Sequence, residues 1–371
     1  MTHALLPSGF HDRLPPHADA AARLERRVLD AAHGHGYERV DPPLVEFEDA
    51  LAHRLKSARA QDSVRFVDPI SQRNLAIRPD ITAQIGRIAA TRMGHHPRPV
   101  RLSYAGSVLR LRASQLAPQR ERRQAGCELI GLDTVAAARE IVTVAVEALE
   151  AAGVGGISID FTLPDLLGVL SAGPLSLGSA SLDELADRLD AKDAGAVAVL
   201  APAYSFLIEA AGPFDAAVDR LRAFDRDGAL ATRLDGLARI ADSVRGRAAL
   251  TLDPTERHGF EYQTWLGFSL FAEGSRGEIG RGGSYTIVHE NGEEEAAIGF
   301  TLYIDAIAAA GLAEDERRRL FVPLGTDPAL AAKLRGEGWV TVSALEPGDT
   351  PEAQLCTHLL ADGGPRPLKE S

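Results

Sequence analysis

Cysteine is nearly absent: the chain has two, Cys127 and Cys356, in 371 residues. That excludes a disulfide framework and a four-cysteine zinc site, and makes the reducing cytoplasm the expected compartment. Basic charge is also short, with 40 Lys and Arg against 52 Asp and Glu and a formal net charge of −12. Every contact to a nucleic-acid phosphate needs a positive side chain, so a chain built mainly to hold nucleic acid is disfavoured. No run of ~20 apolar residues occurs, so no membrane span is expected. The opening Met1-Thr2-His3-Ala4-Leu5-Leu6-Pro7 has no basic stretch ahead of an apolar one, and no secretory signal is expected. The GxxxxGKS/T loop, a GxGxxG between strand and helix, HExxH and GxSxG are all missing, so nothing supports those kinds of nucleotide cradle, zinc hydrolysis or serine catalysis. His33 and His35, and the adjacent His95 and His96, have no Cys or carboxylate at ligand spacing. Neither a metal nor a cofactor is expected.

What is present is ordinary for a globular chain, with 45% hydrophobic and 25% charged residues and a length fit for roughly two to three domains. After a loop at Pro7-Ser8-Gly9-Phe10-His11-Asp12, residues 18–32 place Leu24, Val28 and Leu29 on one helical face, and Gly34 and Gly36 supply the stop. Residues 37–46 read as a strand interrupted at Pro42-Pro43. Strands are expected at 64–68, 75–78, 100–105 (the apolar run continuing to Leu109) and 127–132, with helices at 82–93 and 135–152. From 164 to 247 the chain is rich in Ala and Leu at helical periodicity, broken at Gly173-Pro174 and Gly212-Pro213. Strand signals return at 249–252, 262–271 and 297–302. A charged helix end at 314–319 then leads to a strand at 320–324, a helix at 328–335 and a strand at 339–342. Strands that do not alternate one-for-one with helices argue for α+β over a doubly wound parallel sheet. The expected organisation is a core from 1–163 and 248–312, a helical insert at 164–247, and a small α/β tail at 313–371.

Several polar residues sit in strand-like surroundings. Arg78-Pro79-Asp80-Ile81-Thr82 lies where a strand turns into a helix, so Asp80 and Thr82 serve either as caps or as groups facing a cleft. Arg110 follows an apolar strand. Gln124 and Glu128 are four apart, which on a strand puts them on the same face. A buried amide and carboxylate are costly unless something pairs with them. A ligand with a positive group or an imidazole N–H is one such partner, and an internal ion pair with Arg110 is the other. Alternation turns Cys127 to the opposite face, where a packed thiol is expected.

These segments together resemble the histidyl-tRNA synthetases. Gly9-Phe10-His11-Asp12 and Gly36-Tyr37-Glu38-Arg39-Val40-Asp41-Pro42-Pro43 are similar to their opening and the proline-bearing class II motif 1. Arg78-Pro79-Asp80-Ile81-Thr82 resembles R-P-E-G-T, and the stretch from Arg101 to Arg110 with Gln124-Ala125-Gly126-Cys127-Glu128 resembles motif 2. Arg281-Gly282-Gly283-Ser284-Tyr285 stands where those enzymes have A-G-G-R-Y, and Ala297-Ile298-Gly299-Phe300 resembles motif 3. The ordered series covers 7–310 and implies a class II synthetase-like core, an antiparallel sheet flanked by helices. It also implies that Asp80 and Thr82 hold the α-amino group of histidine, that Arg110 faces its carboxylate with Gln124 assisting, and that Glu128, Tyr262 and Tyr285 recognise the imidazole and amino groups.

The departures fall on the ATP side. Arg112 stands where motif 2 has a glutamate, Arg122 where an aromatic ring stacks on adenine, and Ala306 where motif 3 ends in arginine. The arginine that stabilises the adenylation transition state is His258, within His258-Gly259-Phe260-Glu261-Tyr262-Gln263. Catalysis of that kind depends on positioned positive charge. A synthetase-like chain that keeps histidine and discards ATP and tRNA resembles the regulatory subunits of ATP phosphoribosyltransferase. That resemblance implies a non-catalytic chain acting in the first step of histidine biosynthesis. It would join a short-form catalytic subunit in a hetero-octamer, with a homodimer as building block and L-histidine as feedback effector. Two alternatives accompany it: a divergent enzyme that adenylates histidine, with Arg257 replacing the lost arginine, and a free-standing histidine-binding regulator.

Overall fold

The computed structural model describes residues 6–52, 63–112, 119–175, 177–178, 180–257, 263–311 and 318–368. The chain divides into two units, Met1–Ala313 and Glu314–Ser371.

In the first unit, helix α1 (His17–Gly34) leads to β1 (Glu38–Arg39), β2 (Val45–Phe47) and α2 (Glu48–Ala52). Strands β3 (Val64–Val67) and β4 (Asn74–Ile77) precede α3 (Thr82–Thr91), β5 (Val100–Leu109), β6 (Glu121–Ile130), α4 (Val135–Ala151) and β7 (Ile157–Thr162). A helical stretch follows, made of α5 (Leu166–Ala172), α6 (Leu182–Asp190), α7 (Ala194–Leu200), α8 (Phe206–Glu209), the short strand β8 (Gly212–Pro213), α9 (Phe214–Phe224) and α10 (Ala231–Asp242). Then come β9 (Ala249–Leu252), β10 (Gln263–Ala272), β11 (Gly280–Val288), β12 (Glu294–Tyr303) and α11 (Ile304–Ala309).

Nine of these strands form one sheet in the order β1-β5-β6-β12-β11-β10-β7-β9-β8, and β2-β4-β3 form a separate small one. The long central strands pair antiparallel, as expected. Towards the edges the pairing turns parallel, β1 with β5 and β7 with β9, so the sheet is mixed and not antiparallel throughout. The proline turn at Pro42-Pro43 divides the expected 37–46 strand between two sheets.

The alternation of β5 and β6 gives the central sheet two different faces. One packs on α1 and α4 through Leu24, Val28, Ala138, Ile141, Cys127 and Leu129. Helix α4 begins where the Thr134 side chain accepts a hydrogen bond from the Ala137 amide, 3.2 Å away, satisfying one of the orphan donors of the first turn. The other face packs on α3 through Ile81, Ile85, Leu102, Tyr104, Ile130, Tyr285 and Ile287. Glu128 belongs to this second face.

Strand β11 was not expected, because it holds three glycines in nine residues. The structure explains them by close approach. A Cβ at Gly280 would run into β12 backbone, and one at Gly282 into the Phe268 ring. The second unit holds β13 (Arg319–Val322), α12 (Pro328–Gly336), β14 (Val340–Ser343), β15 (His358–Ala361) and β16 (Gly364–Pro367), in the order β14-β13-β15-β16. The expected helix end at 314–319 lies outside the described residues up to 317, and Arg319 opens β13. Among the described residues no helix is long and apolar enough to cross a membrane.

Candidate functional site

The sheet face under α3 carries a row of aligned positions. Leu102, Glu128, Gly299, Gly283 and Gly267 face one another across β5, β6, β12, β11 and β10. Glu128 is 1% exposed, and its carboxylate lies over Gly299, where a Cβ would run into it. Its Oε2 accepts from the Tyr285 hydroxyl at 2.8 Å and its Oε1 from the Tyr104 hydroxyl at 3.2 Å. Tyr104 is held in turn by Thr301, with 2.6 Å between the hydroxyl oxygens. Burial pushes the Glu128 carboxyl up to about 8, while the hydroxyls of Tyr285, Thr82 and Tyr104 pull the other way.

Two residues along β6, Gly126 makes room for Tyr104, whose hydroxyl a Cβ there would meet. Two further along is Gln124, 2% exposed, opposite Gly106 and Tyr303. Its amide donates to Asp80 Oδ2 at 3.1 Å, and its Oε1 is buried with no hydrogen-bond partner. The other oxygen of Asp80 accepts from the Thr82 amide at 2.8 Å. Asp80 thus ties the first amide of α3 to the Gln124 side chain on β6, one oxygen to each. Arg78 fixes that corner. It is 4% exposed and donates to the carbonyls of Pro42 and Ser107, both at 2.8 Å, and a Cβ at Gly106 would run into its guanidinium.

Beyond Gln124 the face turns basic. Arg122, on the same side of β6, lies with its guanidinium carbon 6.0 Å from the Tyr303 ring centre. Arg110 is close enough that its charge, after burial, is the main influence holding the Arg122 guanidinium below its ordinary range. Arg281, opposite Thr301 on β12, forks onto Glu278 at 2.9 and 2.5 Å.

The structure therefore brings Asp80, Thr82, Gln124, Glu128 and Tyr285 into one connected cluster of side chains, with Arg110 beside Arg122 at the basic end of the same face. His258 and Tyr262 lie outside the described residues. The internal ion pair between Arg110 and Glu128 is not formed, because hydroxyl groups satisfy the carboxylate instead. Arg257 points elsewhere: its amide donates to Asp190 and its guanidinium lies 3.9 Å from Asp187, both on α6. Tyr104, Thr301 and Gly299 were not singled out. Their partners sit on other strands, and only the register reveals them.

Fold and pocket together define a class II synthetase core of the histidyl type. The histidyl-tRNA synthetase family model matches residues 9–307. A solved structure described as an ATP phosphoribosyltransferase regulatory subunit/histidyl-tRNA synthetase from Bacillus halodurans C shares the fold, with a TM-score of 0.77, 96% of each chain covered and 21% identity. The ATP phosphoribosyltransferase regulatory subunit of Rhodospirillum centenum is 44% identical over 97% of this chain and 95% of its own length. That of Paramagnetospirillum magneticum is 42% identical over 97% of each chain. The chain belongs to the family of ATP phosphoribosyltransferase regulatory subunits.

Proposed function

We propose that the chain is the histidine-sensing, non-catalytic subunit of an ATP phosphoribosyltransferase, and that the pocket under α3 is the sensor. It would join a short-form catalytic subunit, as a hetero-octamer built on homodimers in the cytoplasm. There it would activate that partner and transmit feedback inhibition by L-histidine, taking no part in tRNA charging. In this reading 164–247 is an insert within a core of 1–163 and 248–312, and 313–371 is a tail.

The observation that carries the reading is Glu128, a fully buried carboxyl group held by two tyrosine hydroxyls, with a buried amide oxygen that lacks a donor four residues along the same face of β6. Such acceptors suit the ammonium and imidazole N–H groups of histidine. Asp80, Thr82 and Gln124 would take the amino group, Arg110 the carboxylate, and Glu128 with Tyr285 the ring, His258 and Tyr262 completing the set. Feedback then follows from linkage: a ligand that binds one quaternary state more tightly populates it, with a coupling of typically ~1–3 kcal/mol.

The test is calorimetric titration of L-histidine into the protein alone and into its complex with the catalytic subunit. Binding in the micromolar to sub-millimolar range, abolished by Glu128→Ala, supports the reading. Absence of binding in both forms makes the pocket a relic and the chain an activating scaffold. Histidine-dependent ATP–pyrophosphate exchange checks the enzymatic alternative, and a real signal there would sink the regulatory reading. Failure to co-purify with a co-expressed short-form catalytic chain would point to a free-standing regulator.

A further inference from the structure

Tyr303 is a buried ring without an apolar core around it. It is 9% exposed, yet it belongs to neither of the hydrophobic clusters that pack on the two faces of the sheet. The strand register sets it directly opposite Gln124, on the face that carries Glu128. Its amide donates to the Ile279 carbonyl at 2.8 Å, which fixes the end of β12. Over the ring lies Arg122, two residues beyond Gln124 on the same side of β6, with its guanidinium carbon 6.0 Å from the ring centre. A guanidinium that close to an aromatic face is attracted to it.

The ring stands where the interval between Glu128 and Gln124 ends. Four residues of extended strand separate those two, about 13 Å at ~3.3 Å per residue. L-Histidine measures roughly 6 Å from its outer ring nitrogen to its amino nitrogen, and a hydrogen bond of ~2.9 Å at each end brings that to about 12 Å. A histidine whose ring meets Glu128 and whose amino group meets Gln124 therefore fills the interval. Asp80, which accepts from the Gln124 amide at 3.1 Å, closes it on the α3 side. Anything joined to the carboxyl group would have to pass Gln124, and there the Tyr303 ring and the Arg122 guanidinium stand.

We infer that the Tyr303 ring, with Arg122 over it, is the end wall of the histidine site and restricts its ligand to an amino acid with a free carboxyl group. The restriction rests on the histidine reading above. It excludes bulky esters, amides and phosphoryl-activated forms of histidine by size, and not only by the loss of a charge that Arg110 would meet. A clash built against the wrong ligand gives specificity without any new contact to the right one.

The experiment is calorimetric titration of L-histidine, L-histidinamide and L-histidine benzylamide into the full chain. The two amides lack the same carboxylate charge and differ in the group beyond the amide, so their ratio reads the wall and not Arg110. The parent is expected to bind the benzylamide at least tenfold more weakly than histidinamide. Tyr303→Ala should bring that ratio well below tenfold, while Tyr303→Phe, which keeps the ring, should retain it. Arg122→Ala opens the same wall from β6, so the ratio is readable even where Tyr303→Ala does not fold. Equal binding of the two amides by the parent overturns the wall. So does failure of both Tyr303→Ala and Arg122→Ala to improve benzylamide binding relative to histidinamide. L-Histidine binding alongside either of those results leaves the histidine reading standing. Absence of L-histidine binding overturns that reading and the wall with it.

Discussion

Tyr285 on β11 reaches Glu128 on β6 across the intervening strand β12, with 2.8 Å between hydroxyl and carboxylate. The path is open because the residue between them is Gly299, where a Cβ would run into the Glu128 carboxylate and the Cys127 carbonyl. Gly299→Ala is therefore expected to do more than a surface change. The carboxylate has to move, and its hydroxyl partners lose it. Overpacking of this kind costs roughly 1–3 kcal/mol. Chemical denaturation should show that loss, and calorimetry should show histidine affinity reduced at least tenfold. Wild-type affinity and stability together would mean the pocket is not shaped as described.

Glu128 also makes stability depend on pH. Its carboxyl titrates at about 8 in the folded chain against an ordinary value of 4.5. The folded state thus binds this proton more tightly than the unfolded state does. Below the ordinary value the group is protonated in both states and has no effect. Between 4.5 and 8 the unfolded chain releases the proton while the folded chain retains it, so stability falls as pH rises, and the loss is complete above the folded value. At ~1.4 kcal/mol per pH unit the full window amounts to a few kcal/mol. Glu128→Gln keeps the shape and removes the titration. Measured by denaturation, it is expected to gain stability relative to the wild type from pH 5 to pH 8. A difference that stays flat over that range contradicts the burial argument.

Much of this site is legible in the sequence. Alternation on β6 put Gln124 and Glu128 on one face and Cys127 on the other, because a period of two needs no tertiary information. Asp80 was legible only as a choice between cap and cleft, since its bond to Gln124 on β6 crosses between elements that local sequence does not bring together. Tyr104 was hidden because a tyrosine in an apolar strand reads as core. Its hydroxyl finds Glu128 and Thr301 through cross-strand register, which local sequence does not encode. Strand β11 was hidden because its glycines look like turn residues until Phe268 and the β12 backbone are seen against them. In the second unit, β16 holds Pro365 and Pro367, tolerable because it is an edge strand, and that too is a fact of topology.

Cys127 tests the other face. It is fully buried among the side chains under α1 and α4, and burial, with the Glu128 and Glu140 charges adding to it, pushes its thiol well above the ordinary value. The native chain is expected to leave this thiol unmodified by a thiol reagent that labels it readily in denaturant. Cys127→Ser places a hydroxyl in an apolar setting and should cost about 1–3 kcal/mol. Histidine binding should be unchanged, because the side chain points away from Glu128. Labelling in the native state at the denatured rate would contradict the assignment of faces.

Tyr104 offers the closest check on how Glu128 is held. Its hydroxyl donates to one carboxylate oxygen at 3.2 Å and is bonded to Thr301 at 2.6 Å. Tyr104→Phe removes both bonds while keeping the ring, and leaving buried groups unsatisfied costs roughly 1–3 kcal/mol. It also removes one of the groups that draw the Glu128 carboxyl down, so the pH at which stability stops falling should move upward. A hydrogen bond to an ionised acceptor is about twice as strong as one to a neutral group. A double-mutant cycle of Tyr104→Phe and Glu128→Gln should therefore give a larger coupling at pH 9, with the carboxylate ionised, than at pH 5, with it protonated. Equal couplings at the two pH values would show that Tyr104 packs beside Glu128 without stabilising its charge, and the cage around the carboxylate would then rest on Tyr285 and Thr82.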